Sequence, residues 1–110
     1  MNIQNTISKN FYQTTQSFAN KELYFYKKDN QWIGLSGKAI ESTVKDISFG
    51  LFSLGIGSGD QVAILSANSP RWCMTDYGII CSGATSVTIY PTLIASQVEY
   101  ILNDSGSKVL

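Results

Sequence analysis

The stretch from Gly59 to Thr92, GDQVAILSANSPRWCMTDYGIICSGATSVTIYPT, reads as strand, helix, strand. Gln61–Ser66 is a short aliphatic run bounded by Gly59-Asp60 and by Ala67-Asn68-Ser69-Pro70. Ser69 can cap a helix by accepting a backbone N–H, and Pro70 suits the first helical position, where no intrahelical N–H is needed. Arg71–Ser82 carries Trp72, Cys73, Met74, Tyr77, Ile79, Ile80 and Cys81, with Arg71 and Asp76 as its only charges. Apolar groups on nearly every side predict a helix buried on more than one face. Gly83 closes it, and β-branched Ala84–Tyr90 runs to a stop at Pro91. A crossover of this length joins parallel strands, and its default hand is right-handed.

The flanking segments extend this unit. Ile7, Phe11 and Phe18, with Tyr12 beside them, predict a short amphipathic helix between about Thr6 and Ala19. Leu23–Tyr26 and Trp32–Leu35 flank the polar run Lys27–Gln31, the pattern of a β-hairpin. Ser36 can cap a helix over Gly37–Leu54, in which Ile40, Val44, Ile47, Leu51 and Leu54 form one stripe. Phe49 and Phe52 are expected to widen that stripe. Gly50 is expected where another backbone packs close, because glycine costs ~1 kcal/mol in a helix interior. Gly55 is expected as the left-handed residue after the last turn. Beyond Thr92, Ser96 and Glu99 fit a capping box, and Val98, Ile101 and Leu102 mark the buried face of the helix that follows. Asn103–Gly106 is a stop, and Ser107–Leu110 begins a further strand. The fold class is therefore α/β: an N-terminal helix and hairpin, then a βαβαβ parallel-sheet unit belonging to a larger doubly wound domain.

Composition removes several functions. The 110 residues suit one small domain, and 44% hydrophobic content can build a core. Eight basic and eight acidic residues cancel, which argues against nucleic acid as a partner. Lys27-Lys28 is the only adjacent basic pair and suits a solvated hairpin tip. The chain has no histidine, so it lacks the commonest metal ligand and the commonest general base. Cys73 and Cys81 would lie about 12 Å apart on one helix, too far for a disulfide, and two thiols without histidine make a poor zinc site. They are expected to be small core hydrophobes. Unpaired thiols, no apolar run long enough for a transmembrane segment and no secretory signal in MNIQNTISKN suggest a cytoplasmic protein, with peripheral membrane association left open.

Candidate chemistry is sparse. Gly55–Asp60 is the one glycine-rich loop, but it follows a helix and opens a strand. A phosphate loop does the reverse, so that a helix N-terminus points at the anion. The expectation is a helix-to-strand turn. The loops Ala67–Pro70 and Tyr90–Thr92 do follow strands and precede helices, where open α/β sheets place ligands. Capping explains Asn68 and Ser69 without a ligand. Asp46, Asp60, Asp76, Glu99 and Asp104 show no spacing that pairs them for acid–base work. The residues themselves describe a scaffold and name no reaction.

The wording of the chain adds what periodicity does not. Trp32…Leu35-Ser36 precedes a helix ending Gly50-Leu51…Leu54-Gly55-Ile56, then Gly59-Asp60-Gln61-Val62-Ala63-Ile64. Asn68-Ser69-Pro70-Arg71-Trp72, Gly83-Ala84, Ile89-Tyr90-Pro91-Thr92-Leu93 and Tyr100–Gly106 follow in order. From about Leu23 to Leu110 this resembles the N-terminal region of the AMP-forming acyl-CoA synthetases, most of all their long-chain fatty acid branch. The resemblance implies that residues 1–110 are a truncated N-terminal portion of an AMP-binding domain, with no complete second domain. It implies a whole enzyme that uses ATP, Mg²⁺ and coenzyme A to turn a fatty acid into acyl-CoA, AMP and pyrophosphate. The family's phosphate loop, adenine-binding region and catalytic lysine lie downstream, so no catalytic or metal-binding residue is carried onto this chain and its cofactor-binding residues are left unassigned. Thr88 stands where proline is common, and Ile94-Ala95 replace a usual Thr/Ser-Pro cap. The isolated piece is expected to be inactive, to bind no cofactor and to self-associate through unpaired edges and apolar faces. Two alternatives are an adenylating enzyme that loads a carrier protein and a free-standing, non-catalytic α/β interaction module.

Overall fold

The computed structural model describes residues 6–110; the reading of Met1–Asn5 as free of a secretory signal lies outside them. The first helix, α1 (Ile7–Ser17), starts on Thr6, whose Oγ1 accepts the Lys9 amide. The hairpin strands β1 (Glu22–Lys28) and β2 (Gln31–Ser36) pair antiparallel. Its tip is tighter than the sequence suggested. Only Asp29 and Asn30 turn, both with positive φ, as a two-residue turn between right-twisted strands requires. Ser36 then caps α2 (Gly37–Ser53) through the Ala39 amide. After the turn at Gly55–Asp60 come β3 (Gln61–Leu65), α3 (Pro70–Cys81), β4 (Thr85–Ile89) and α4 (Ala95–Ser105).

The parallel pair β3–β4 runs in the register Gln61↔Thr85 to Leu65↔Ile89. On the other edge of β3, Val109 forms a parallel bridge with Val62, and the Ala63 amide donates to the Val109 carbonyl. The expected further strand therefore begins there, and the spatial order is β4, β3, Val109. Because β3 lies in the middle, the crossovers through α3 and α4 run in opposite directions. Right-handed connections then put the two helices on opposite faces of the sheet.

One apolar cluster joins Leu51, Ile56, Val62, Ile64, Ile79 and Ala84 beneath α2 and α3. A second joins Phe11, Ile40, Val44 and Met74 where α1 and the hairpin meet those helices. Ile47 packs against both. Phe11 also stacks on Tyr77 at 4.6 Å. The buried side of α3 is wide, as its composition predicted: it touches α1, α2, β1, β3 and β4. Cys73 and Cys81 are free thiols, half-buried on this helix.

Three expectations need correction. Leu54, Phe49 and Phe52 do not extend the α2 stripe; all three are exposed. Phe49 sits on the face opposite Ile40 and Leu51, as a 100° step per residue dictates, and Leu54 is the residue past the helix end. Gly50 accommodates no close backbone, because a Cβ there would meet nothing within 4 Å. The close approach is at Gly78, where a Cβ would collide with Ile47 and lie 3.5 Å from the Val44 carbonyl oxygen. Finally, the Ser96/Glu99 box does not form. Ile94 is the N-cap, and Gln97 Oε1 reaches back to its amide at 3.2 Å. The helix thus starts earlier, runs through Ser105 and ends on left-handed Gly106. Its inward residues Val98, Ile101 and Leu102 are only half-buried.

Adding one methyl group to each glycine separates the two sites. Gly50→Ala should stabilise the chain by up to about 1 kcal/mol, because alanine is the better helix former and the space is empty. Gly78→Ala should destabilise it by about 1–3 kcal/mol, because overpacking against branched Ile47 outweighs the same propensity gain. Urea denaturation midpoints read both changes.

Candidate functional site

The switch in crossover direction occurs between β3 and β4, and the crevice beyond their carboxyl ends is where open α/β sheets receive ligands. The loops Ser66–Ser69 and Tyr90–Ile94 line it. Each runs straight into a helix, so the N-termini of α3 and α4 both open on this edge. The two loops singled out in the sequence are thereby brought to one place.

Their chemistry is limited. Ser69 is the cap: its Oγ accepts the Trp72 amide at 3.3 Å, and its extended backbone (φ −166°) makes the entry to Pro70. Asn68 is exposed beside it. In the second loop the Leu93 amide closes a turn on the Tyr90 carbonyl, which leaves the Tyr90 side chain 77% exposed. Arg71, in the first turn of α3, supplies the only cation on these segments, and neither loop carries a carboxylate. Hydroxyls, an amide, a phenol and two positively polarised helix ends could orient a polar or anionic group. The hydroxyls on these segments have no histidine or carboxylate beside them in the loops to activate one. Among the described residues no group of histidine, cysteine or acidic side chains could hold a metal ion. The donor set therefore does not fit the Mg²⁺ that the resemblance implies for a whole enzyme.

The glycine-rich loop is a turn, and its anion position is already filled from within. Asp60 Oδ2 accepts the Gly57 amide at 2.9 Å, while Oδ1 pairs with Lys108 Nζ at 2.5 Å. A carboxylate lodged in the loop repels phosphate. It also ties the residues around Val109 to the start of β3, where the Lys108 amide donates to the Gln61 carbonyl. A cavity of about 450 Å³ lies between α1, β1 and α3, among Ile7, Phe11, Leu23, Tyr24, Ile40 and Tyr77. Burial, then the neighbouring Tyr77 and Cys73, push the Tyr24 phenol up to about 12, so it stays neutral there. The cavity walls hold no charged side chain to meet a carboxylate or a nucleotide.

The comparisons with known proteins decide the family. The AMP-binding enzyme family matches residues 11–110. The chain belongs to the AMP-binding enzyme family. Over 82 residues it is 37% identical to the long-chain-fatty-acid–CoA ligase FadD15 of Mycobacterium bovis, covering 74% of this chain and 14% of the ligase. Over 60 residues it is 48% identical to the long-chain-fatty-acid–CoA ligase FadD13 of Mycobacterium tuberculosis, covering 54% of this chain and 12% of that one. A solved fatty acyl-CoA synthetase of Mycobacterium tuberculosis superposes with a TM-score of 0.81 at 32% identity, over 94% of this chain and 20% of that one. The matches fall on the N-terminal part of these ligases. The chain thus spans about one seventh of the curated relatives it matches.

The Asp60 link gives a pH test. The hydrogen bond and charge of Lys108, then the Gly57 amide, hold the Asp60 carboxyl below its ordinary range. A depressed carboxylate contributes stability above its unfolded pKa, near 3.9, and loses it as pH falls through the folded value. Hydrogen-exchange protection at the Ala63 and Lys108 amides, taken against the intrinsic rate at each pH, should therefore fall on acidification below about pH 4. Asp60→Asn should show the lower protection at neutral pH already, with the acid step gone.

Proposed function

We propose that this chain is the N-terminal part of an ATP-dependent, AMP-forming long-chain fatty acid–CoA ligase and supplies framework to it. The observation that supports this best is the pairing of a family match over residues 11–110 with a sheet edge whose two loops carry no carboxylate and no histidine. In the complete enzyme a fatty acid carboxylate would attack the α-phosphate of ATP, and the thiol of coenzyme A would then displace AMP. Charge develops on phosphate oxygens in the first step, so catalysis calls for cations and phosphate-binding backbone. Those groups belong to the rest of the ligase, as does Mg²⁺. This chain contributes the switch-point edge, the two helix ends aimed across it, and the parallel strands on which further strands can add. The same reading places the ligase in the cytoplasm and makes the piece inactive by itself, with its open edges free to self-associate.

The chain alone should give no ATP–pyrophosphate exchange with any fatty acid. Joined in place of the matched N-terminal part of FadD13, it should restore acyl-CoA formation to the rest of that ligase. Exchange by the chain alone, or a folded fusion without activity, would overturn the reading.

A further inference from the structure

The hairpin has two different faces. Tyr24 pairs with Leu35 and Tyr26 with Ile33, and Tyr24 and Leu35 pack on the cluster around Phe11. By strand alternation Phe25, Lys27, Trp32 and Gly34 point the other way. They form two neighbouring rows, Phe25 with Gly34 and Lys27 with Trp32. Both rows are open: Phe25 is 51% and Trp32 71% exposed, and Lys27 is exposed. The register shift between Glu22 and Tyr24 turns Glu22 to this outer face as well. Its carboxylate lies over Gly34, where a Cβ would collide with it. Among the described residues neither Glu22 nor Lys27 has an ion-pair partner.

The two rows complement each other. Phe25 offers a ring beside a carboxylate, a combination that attracts an ammonium group. Lys27 carries one, two residues and about 7 Å further along the strand. Gly34 leaves a gap rimmed by the Glu22 carboxylate. Trp32 has an indole to fill such a gap and an N–H to donate to such a carboxylate. Within one copy the complementary groups lie side by side. A second copy, turned end for end by a two-fold axis running across the strands between the rows, sets each row over the other. Lys27 of one copy then meets Phe25 and Glu22 of its partner, and Trp32 meets the gap at Gly34. The symmetry repeats both contacts, as an isologous interface requires. A two-fold axis along the strands would instead gather both ammonium groups in one row and both carboxylates in the other, where like charges repel.

We propose that the outer face of the hairpin is a homodimer surface, on which a second copy of this chain lies antiparallel, with Lys27 of each copy on Phe25 and Glu22 of the other. The inference does not rest on the ligase reading. One hairpin face is a small interface, so the dimer is a weak one that forms at high concentration. Salt weakens it further, because its ion pairs lie near solvent and are screened.

Charge reversal tests this surface, whereas pairing between open sheet edges is indifferent to it. Sedimentation velocity follows the association of the parent, Glu22→Lys and Lys27→Glu over about a hundredfold range of concentration. Each variant alone should dissociate at least about tenfold more readily than the parent, because both of its charge contacts now oppose like signs. Mixed in equal amounts, the two variants should form a heterodimer within about threefold of the parent affinity, since one copy then supplies both cations and the other both carboxylates. Trp32→Ala should weaken association at least about tenfold, as loss of a central aromatic does. Circular dichroism spectra should stay unchanged, because all three substituted side chains are exposed. A parent that is monomeric throughout the range, single variants that associate as the parent does, or a mixture no stronger than either variant alone would each overturn the proposal.

Discussion

Ile47 rests on the bare backbone of Gly78, and most of the structure follows from that contact. It lets α2 and α3 meet closely enough for the Ser48 hydroxyl to donate to the Gly78 carbonyl at 2.7 Å. With the helices fixed at that distance, Leu51 and Ile79 reach the sheet and close one cluster over Val62 and Ile64, while Ile40, Val44 and Met74 close the other over α1 and the hairpin. A close-packed interior tolerates neither a void nor an extra methyl at such a crossing. The hydrogen bond from Thr15 to Glu41, itself paired with Lys45, attaches α1 to α2 at the periphery. It adds definition where the apolar contact is thinner.

That packing also explains the character of the candidate site. Once α3 is pinned to α2, its N-terminus is carried to the carboxyl end of β3. The reversed crossover brings the start of α4 to the same edge. The crevice is a consequence of topology, and its side chains cap helices and close turns. At the glycine-rich stretch, which the sequence marks as a helix-to-strand turn, the chain's own Asp60 carboxylate accepts the Gly57 amide.

Much of this was legible in the sequence because local chemistry and tertiary packing agree. Thr6, Ser36 and Ser69 cap the helices their positions suggested, and the strand–helix–strand order from Gln61 holds. Phe49 and Phe52 misled because hydrophobicity marks what can be buried, not what is; their angle around α2 puts them outside. Gly50 and Gly78 are indistinguishable as letters in helical segments, and only the crossing geometry tells which one is occupied. The Ser96/Glu99 pair matches a motif, but Ile94 and Gln97 begin the helix a turn-fraction earlier, and no local rule decides between them. At the site, the two loops could be placed at strand ends. Their convergence required the position of Val109 on the far edge of β3, a long-range pairing that no local pattern encodes.

If the α2–α3 crossing carries the fold, stability should be graded around it. Residue-resolved native-state hydrogen exchange measures this directly. The slowest amides should lie in the middle of α2, in α3 around Gly78 and in β3, with α4 and the hairpin tip opening at distinctly lower free energy. Protection in α4 equal to that in α3, or fast exchange at the α2–α3 crossing, would contradict the account.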